Sequence, residues 1–184
     1  MFSRKGGNTE VKPANHCRPA THPGQAGRPR HTARILALQL LYQMDIQKLP
    51  PEADPGAALE PLAAEAGASA ETAAYARRLA AGTWASCEKY DRMIRSVSDH
   101  WEVGRMAVVD RNILRMALHE LLEEPNVPVR VILDEAIEIG REFGSEETPQ
   151  FINGVLDAIW KQHEACRIAR PQAGAGGRNT EAPA

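Results

Sequence analysis

The sequence contains little of what several protein classes require. It has only three cysteines in 184 residues, with no CxxC pair among them, so a disulfide framework is not expected and a reducing cytoplasm is the default compartment. No apolar run reaches the roughly 18 residues needed to cross a bilayer, and the basic N-terminus lacks the apolar stretch of a secretory signal. These absences argue against a secreted or membrane-inserted protein.

The residue patterns of common enzymes are also missing. Glycines are isolated between residues 31 and 168, so neither a Walker loop nor a dinucleotide-binding loop is expected. His16, Cys17 and His22 lie close together but have no fourth ligand nearby, and the other histidines lack metal-site spacing. The sequence therefore predicts no cofactor, no metal site and no catalytic activity.

Charge is distributed unevenly along the chain. The formal net charge is −2, but residues 1–34 carry seven lysines and arginines against Glu10 alone, which gives +6 and leaves −8 for the remainder. A basic arm on an acidic body suits a polyanion at one surface and a basic partner at another.

The sequence predicts an all-α fold. Aromatic residues are only 5% of the chain, and alanine, leucine, glutamate and arginine are abundant, which favours helix over sheet. Apolar spacings of three and four residues, interrupted by proline and glycine, define the expected helices. Their approximate ranges are 32–48, 57–66, 70–98, 105–123, a segment from 128 to a stop at 144, and 149–167.

Several residues are expected to mark helix ends. Thr32, Ser69 and Thr148 are candidate N-caps, the last followed by a proline at the first helical position. Gly82 allows a bend or break in the long 70–98 helix, and Gly144 is a candidate C-terminal stop.

We expect two small helical bundles packed together, with flexible tails. Residues 1–30 contain four prolines, four glycines and few large apolar side chains, too little to offset the entropy of ordering. The expected organisation is a disordered basic arm (1–30), an N-terminal bundle (31–99), a C-terminal bundle (100–168) and a flexible tail (169–184).

Four segments closely resemble the NusB transcription antitermination family. They are ARILALQLLYQMD (33–45), VDRNILRMALHEL (109–121), NVPVRVILDEAIEIGREFG (126–144) and FINGVLD (151–157). The resemblance extends over about 30–162 and is weakest at 49–70. It implies a two-bundle helical fold, pairing with the ribosomal protein NusE, binding of boxA RNA, and an indirect association with elongating RNA polymerase on ribosomal RNA operons.

The resemblance also implies an RNA surface along the first helix. The family's arginine-rich segment corresponds to Arg28, Arg30 and Arg34, whose guanidinium groups would bind phosphate; the alternative is that they are solubilising charges of the tail. His31 and Thr32 stand where further arginines are common in the family. Tyr42 matches an RNA-contacting aromatic, although a core tyrosine on an amphipathic helix is an equally good interpretation.

Further positions carry over from the other motifs. Phe151 and Asn153 match an RNA-contacting segment, with a core phenylalanine and a backbone-bridging asparagine as the alternatives. Asp110 matches an acid where RNA and partner meet, Arg115 fits a partner contact, and Glu147 matches an acid near the RNA surface. The alternatives are a helix N-terminal charge for Asp110 and a surface ion pair for Arg115.

Two other functions fit the same resemblance. A similar helical domain precedes the catalytic domain of RNA cytosine methyltransferases, but the sequence contains no cofactor-binding α/β segment. A helical scaffold that binds protein only would also suit the acidic body.

Overall fold

The computed structural model describes residues 28–97 and 102–169, and within these ranges the chain forms helices and no strands. Most of the predicted arm and tail, residues 1–27 and 170–184, lies outside the described residues. The helices are α1 (Pro29–Gln47), α2 (Gly56–Glu65), α3 (Ala70–Ala85), α4 (Cys87–Ser96), α5 (Val108–Glu123), α6 (Val129–Phe143) and α7 (Thr148–Ala169), with a 3₁₀ turn at Val103–Arg105. None of these helices is long and apolar enough to span a membrane. The all-α prediction is confirmed.

The first helix begins three residues earlier than predicted. Pro29 stands in its first turn, and the Thr32 N–H already donates to the Arg28 carbonyl at 3.0 Å. Proline suits this position because its fixed φ matches the helix and its missing N–H would have no intrahelical partner. Thr32 is therefore not the cap. At the other end, Lys48 adopts a left-handed φ of 52° and stops the helix.

The predicted 70–98 helix is divided in two at Ser86, not at Gly82. Ser69 caps α3 as expected, accepting a hydrogen bond from the Thr72 N–H at 3.2 Å. Gly82 lies within α3 and makes room for a neighbour: a Cβ there would lie 2.5 Å from Cε1 of His119 on α5. The glycine thus allows α3 and α5 to approach closely.

The turn between α6 and α7 also differs in detail from the prediction. Gly144 ends α6 with a φ of −95°, and it is needed for space, since a Cβ would lie 2.5 Å from the Thr148 side chain. Thr148 is itself the first residue of α7, and its hydroxyl accepts from the Ser145 N–H at 2.9 Å rather than capping the helix.

A single apolar core joins the two predicted bundles. Helix α5 packs against α1, α3, α4, α6 and α7, so both halves bury their apolar faces on it. The largest fully buried side chains come from both halves and include Leu36, Leu40, Tyr90, Ile94, Ile113, Leu118, Ile132 and Ile152. The boundary predicted near residue 99 falls outside the described residues.

Candidate nucleic-acid interface

Arg28 lies just before α1 and is paired with two acids of α6. Its Nη1 donates to Glu138 Oε1 at 2.7 Å and its Nη2 donates to Glu135 Oε1 at 2.5 Å, while 49% of the side chain remains exposed. The hydrogen bond from Arg28 lowers the pKa of Glu138. Arg28 therefore reaches solvent, but its charge is already balanced.

Arg30 contacts an aromatic ring, whereas Arg28 contacts carboxylates. Its guanidinium carbon lies 4.0 Å from the centre of the Tyr75 ring, and that of Arg78 lies 5.4 Å from the same ring, a cation–π arrangement. In the part of the chain that the structure describes, neither arginine forms an ion pair with a carboxylate. Arg30 thus presents at the start of α1 a positive charge that is available to a phosphate.

Arg34 does not belong to this surface. It is 3% exposed, and its Nε and Nη2 donate to Glu120 at 2.9–3.1 Å. Its Nη1 lies 3.3 Å from Glu135, and the Tyr75 hydroxyl donates to Glu120 at 2.8 Å. Burial and the charge of Glu120 raise the pKa of Tyr75 to about 12. The buried guanidinium is held by two carboxylates, so the RNA role expected for Arg34 from the sequence does not fit its placement.

Tyr42 lies on the exposed side of α1. It is 43% exposed, and Ile46, one turn further along, is 55% exposed. Tyr42 is 14 residues from Arg28, which at 1.5 Å per residue corresponds to about 21 Å along α1. An aromatic ring available to solvent on this face can stack on an unpaired base.

The start of α7 is held against the start of α5. The Thr148 hydroxyl donates to Asp110 Oδ1 at 2.9 Å. Phe151 is half-buried against the core, which agrees with a packing role and leaves part of its ring accessible. Asp110 is thus brought beside the helix that carries two of the other expected site residues.

Asn153 and Glu147 are both exposed at this end of the molecule. Asn153 lines an open groove between α6 and α7 together with Arg141 and Gln150. Glu147 precedes α7 in the loop, and its carbonyl accepts the Phe151 N–H at 3.1 Å. The amide of Asn153 and the carboxylate of Glu147 are free to meet a ligand's polar edge.

Arg115 is buried, not a surface partner contact. Its Nε and Nη2 donate to the two carboxylate oxygens of Asp91 at 2.7 and 2.8 Å, and its Nη1 donates to Asp45 at 3.0 Å. At 7% exposure and with these partners, it holds α1, α4 and α5 together. The predicted partner role does not fit this placement.

Asp45 is the acid that joins α1 to α5. It accepts from Arg111 at 2.6 and 2.7 Å, from Asn112 at 3.0 Å and from Arg115. Burial raises the pKa of Asp45, but the hydrogen bond from Arg111 and the two arginine charges outweigh it and leave the pKa below its ordinary value. This cluster fixes the C-terminal end of α1.

One group of described side chains has the composition of a metal site. His31, Glu135 and Glu138 place three potential ligand atoms within 4.8 Å of one another. Both glutamates, however, are already paired with arginine: Arg28 contacts both, and Arg34 contacts Glu135. We interpret the group as an ion-pair network.

Glu135 and Glu138 are the neighbours that sequence reasoning missed. The two glutamates are three residues apart, so the sequence already predicts an acidic pair on one face of α6. The sequence does not identify Arg28 as the partner of this acidic pair, because it does not indicate which helix face lies beside the start of α1.

Comparisons with known proteins identify a family of related sequences. The sequence model described as the NusB family matches residues 31–161. The chain is 41% identical over 138 residues to the transcription antitermination protein NusB of Pelotomaculum thermopropionicum, covering 75% of this chain and 93% of that protein. It is 42% identical over 139 residues to the protein of the same name from Geobacter sulfurreducens, covering 71% and 92%.

Solved structures show the same fold. A T. maritima NusB structure superposes with a TM-score of 0.65 at 34% identity, covering 73% of this chain and 92% of that chain. A crystal structure of the antitermination factors NusB and NusE in complex with double-stranded RNA contains a chain that superposes with a TM-score of 0.63 at 26% identity, covering 73% and 98%.

Proposed function

Because the chain belongs to the NusB family, we propose that it is a transcription antitermination factor that binds boxA-type RNA together with a NusE-type ribosomal protein. Its relatives are named transcription antitermination proteins, and a similar chain is found in a complex with NusE and RNA. We place this role in the cytoplasm, on nascent ribosomal RNA transcripts, with contact to the elongating polymerase made through the complex. The role is one of binding and not of catalysis.

The exposed ring of Tyr42 is the observation that carries the proposal. The surrounding positions of α1, such as Leu38 and Leu41, are buried, so Tyr42 does not serve the core. Exposed aromatic rings and arginines on one helix together provide the two contacts by which single-stranded RNA is bound: rings stack on bases, and guanidinium groups bind phosphates. Arg28, Arg30, Phe151 and Asn153 complete the proposed RNA-binding set.

Asp110 is the proposed meeting point of RNA and protein partner. Its carboxylate can accept a hydrogen bond from a base amino group while repelling phosphate, which favours recognition of a base edge. The hydroxyl of Thr148 fixes its orientation. Glu147 lies near the proposed RNA surface, where its negative charge would repel phosphate.

RNA binding by the full chain tests the proposal. Fluorescently labelled RNA carrying boxA and a scrambled RNA of equal length would be titrated with the protein, with and without purified NusE. We expect NusE to raise the affinity for boxA RNA selectively, and log K to fall linearly with log salt. Equal affinity for the two sequences in the presence of NusE would refute sequence-specific binding. Binding of NusE without any RNA affinity would favour the protein-only scaffold.

A further inference from the structure

The start of α1 faces an acidic row on α6. Glu135, Glu138 and Glu142 follow one another at spacings of three and four residues, so they share a helix face. Two of them hold Arg28, and the third lies 3.8 Å from Nε2 of His31. Arg28 thus binds carboxylates through the same charged N–H donors with which it would bind phosphate.

Arg28 can leave these carboxylates at little cost. The Glu138 side chain is 44% exposed, so solvent can take over its charge. Glu135 keeps two other partners, since His31 Nδ1 lies 2.9 Å and Arg34 Nη1 lies 3.3 Å from its Oε2. Release of Arg28 therefore leaves no buried charge without a partner.

We propose that Glu138 competes with RNA phosphates for Arg28 and so limits phosphate binding at the start of α1. The inference rests on the proposed function, because it assigns a residue that sets the strength of RNA binding at that surface. Arg28 lies about 21 Å along α1 from Tyr42, so an RNA strand that stacks on Tyr42 and continues along α1 would bring a phosphate towards Arg28. A phosphate presented there would compete with the Glu138 carboxylate for the same guanidinium.

The substitution Glu138→Gln in the full chain tests the competition. Glutamine keeps the size of the side chain and removes its charge. We expect the NusE-bound variant to bind boxA RNA and scrambled RNA alike up to about five-fold more tightly, the range spanned by an exposed ion pair. The plot of log K against log salt should steepen by about 0.7, the value for one additional phosphate contact on a single strand.

Two controls separate competition from a change of net charge. Glu60→Gln, at an exposed position of α2, removes the same charge away from Arg28 and should leave RNA affinity nearly unchanged. In an Arg28→Gln background, Glu138→Gln should no longer raise affinity, because the competing pair is gone. An equal gain in Glu60→Gln, or a gain that persists without Arg28, would overturn the proposal.

A measurement without RNA keeps this inference distinct from the proposed function. The pKa of the Glu138 carboxyl, followed by carbon NMR, should rise when Arg28 is replaced by glutamine. If wild-type protein with NusE does not prefer boxA RNA, the proposed function fails whatever the NMR result. If it does prefer boxA RNA and Glu138→Gln changes nothing, the competition alone is refuted.

Discussion

The guanidinium of Arg34 and the carboxylate of Glu120 form a buried, bidentate ion pair between α1 and α5. Nε of Arg34 donates to both carboxylate oxygens, and Nη2 donates to one of them at 2.9 Å. Both side chains are almost fully enclosed. A residue that the family resemblance assigns to RNA thus contributes to the interior.

Replacing Arg34 should therefore affect stability more than RNA binding. Arg34→Met leaves Glu120 buried with the Tyr75 hydroxyl as its remaining close donor, and it should reduce the free energy of unfolding by about 3–5 kcal/mol in urea denaturation. Arg30→Met is the matched control, since Arg30 is exposed and unpaired with acid among the described residues. That variant should stay stable and lose RNA affinity. Reversal of the two phenotypes would show that Arg34 reaches RNA.

Tyr42 should contribute to RNA affinity and little to stability. Tyr42→Ala removes a ring that is 43% exposed, so it should weaken RNA binding by about 1–3 kcal/mol, the contribution of one stacked base. The unfolding free energy should change by less than about 0.5 kcal/mol, as for surface positions generally. Tyr42→Phe retains the stacking face and should bind RNA nearly as well as wild type. Weak binding by the phenylalanine variant would assign the affinity to the hydroxyl instead.

A side chain at position 82 should destabilise the fold while His119 is present. A Cβ at position 82 would lie 2.5 Å from Cε1 and 2.6 Å from Nε2 of His119, and the ring is held by a 2.9 Å hydrogen bond to the Tyr90 hydroxyl. Gly82→Ala should cost about 1–3 kcal/mol of unfolding free energy by overpacking. In a Gly82→Ala, His119→Ala double variant the clash is absent, so the two losses should be less than additive in thermal denaturation. Simple additivity would contradict the steric explanation.

His119 should make stability fall on mild acidification. Burial lowers the pKa of this imidazole from its ordinary value of 6.5, so the folded state binds its proton less readily than the unfolded state. The stabilising effect is complete above the unfolded pKa and is lost as pH falls below 6.5 towards the folded pKa. Urea denaturation between pH 7.5 and pH 5 should show this decline. It should be reduced in His119→Asn, and an unchanged slope in that variant would assign the decline to other groups.

The sequence predicted the helical segments well and their interactions poorly. Apart from the division between α3 and α4, apolar spacing and proline positions located the described helices to within a few residues, because both signals are local. The sequence allowed a bend or break at Gly82, but the helix divides at Ser86, and Gly82 instead leaves room for His119 on another helix. Local signals do not reveal such contacts.

Contacts between helices also explain why the sequence identified some of the candidate site residues and not others. The family motif identified Tyr42, whose exposure agrees with a role in binding. It could not distinguish Arg30, which is available to solvent, from Arg34 four residues later, because the difference lies in Glu120 and Glu135. Arg115 was assigned to a partner surface for the same reason: its acidic partner Asp91 is 24 residues away in the chain.

The Asp45 cluster has a consequence for the entropy of binding. Three side chains of α5 hold the last turns of α1, and Asp110 lies next to one of them in sequence. Tyr42 and Asp110 are therefore kept at a fixed separation before any ligand arrives. A preorganised surface of this kind loses little conformational freedom on association, so more of the stacking and hydrogen-bonding energy remains as affinity.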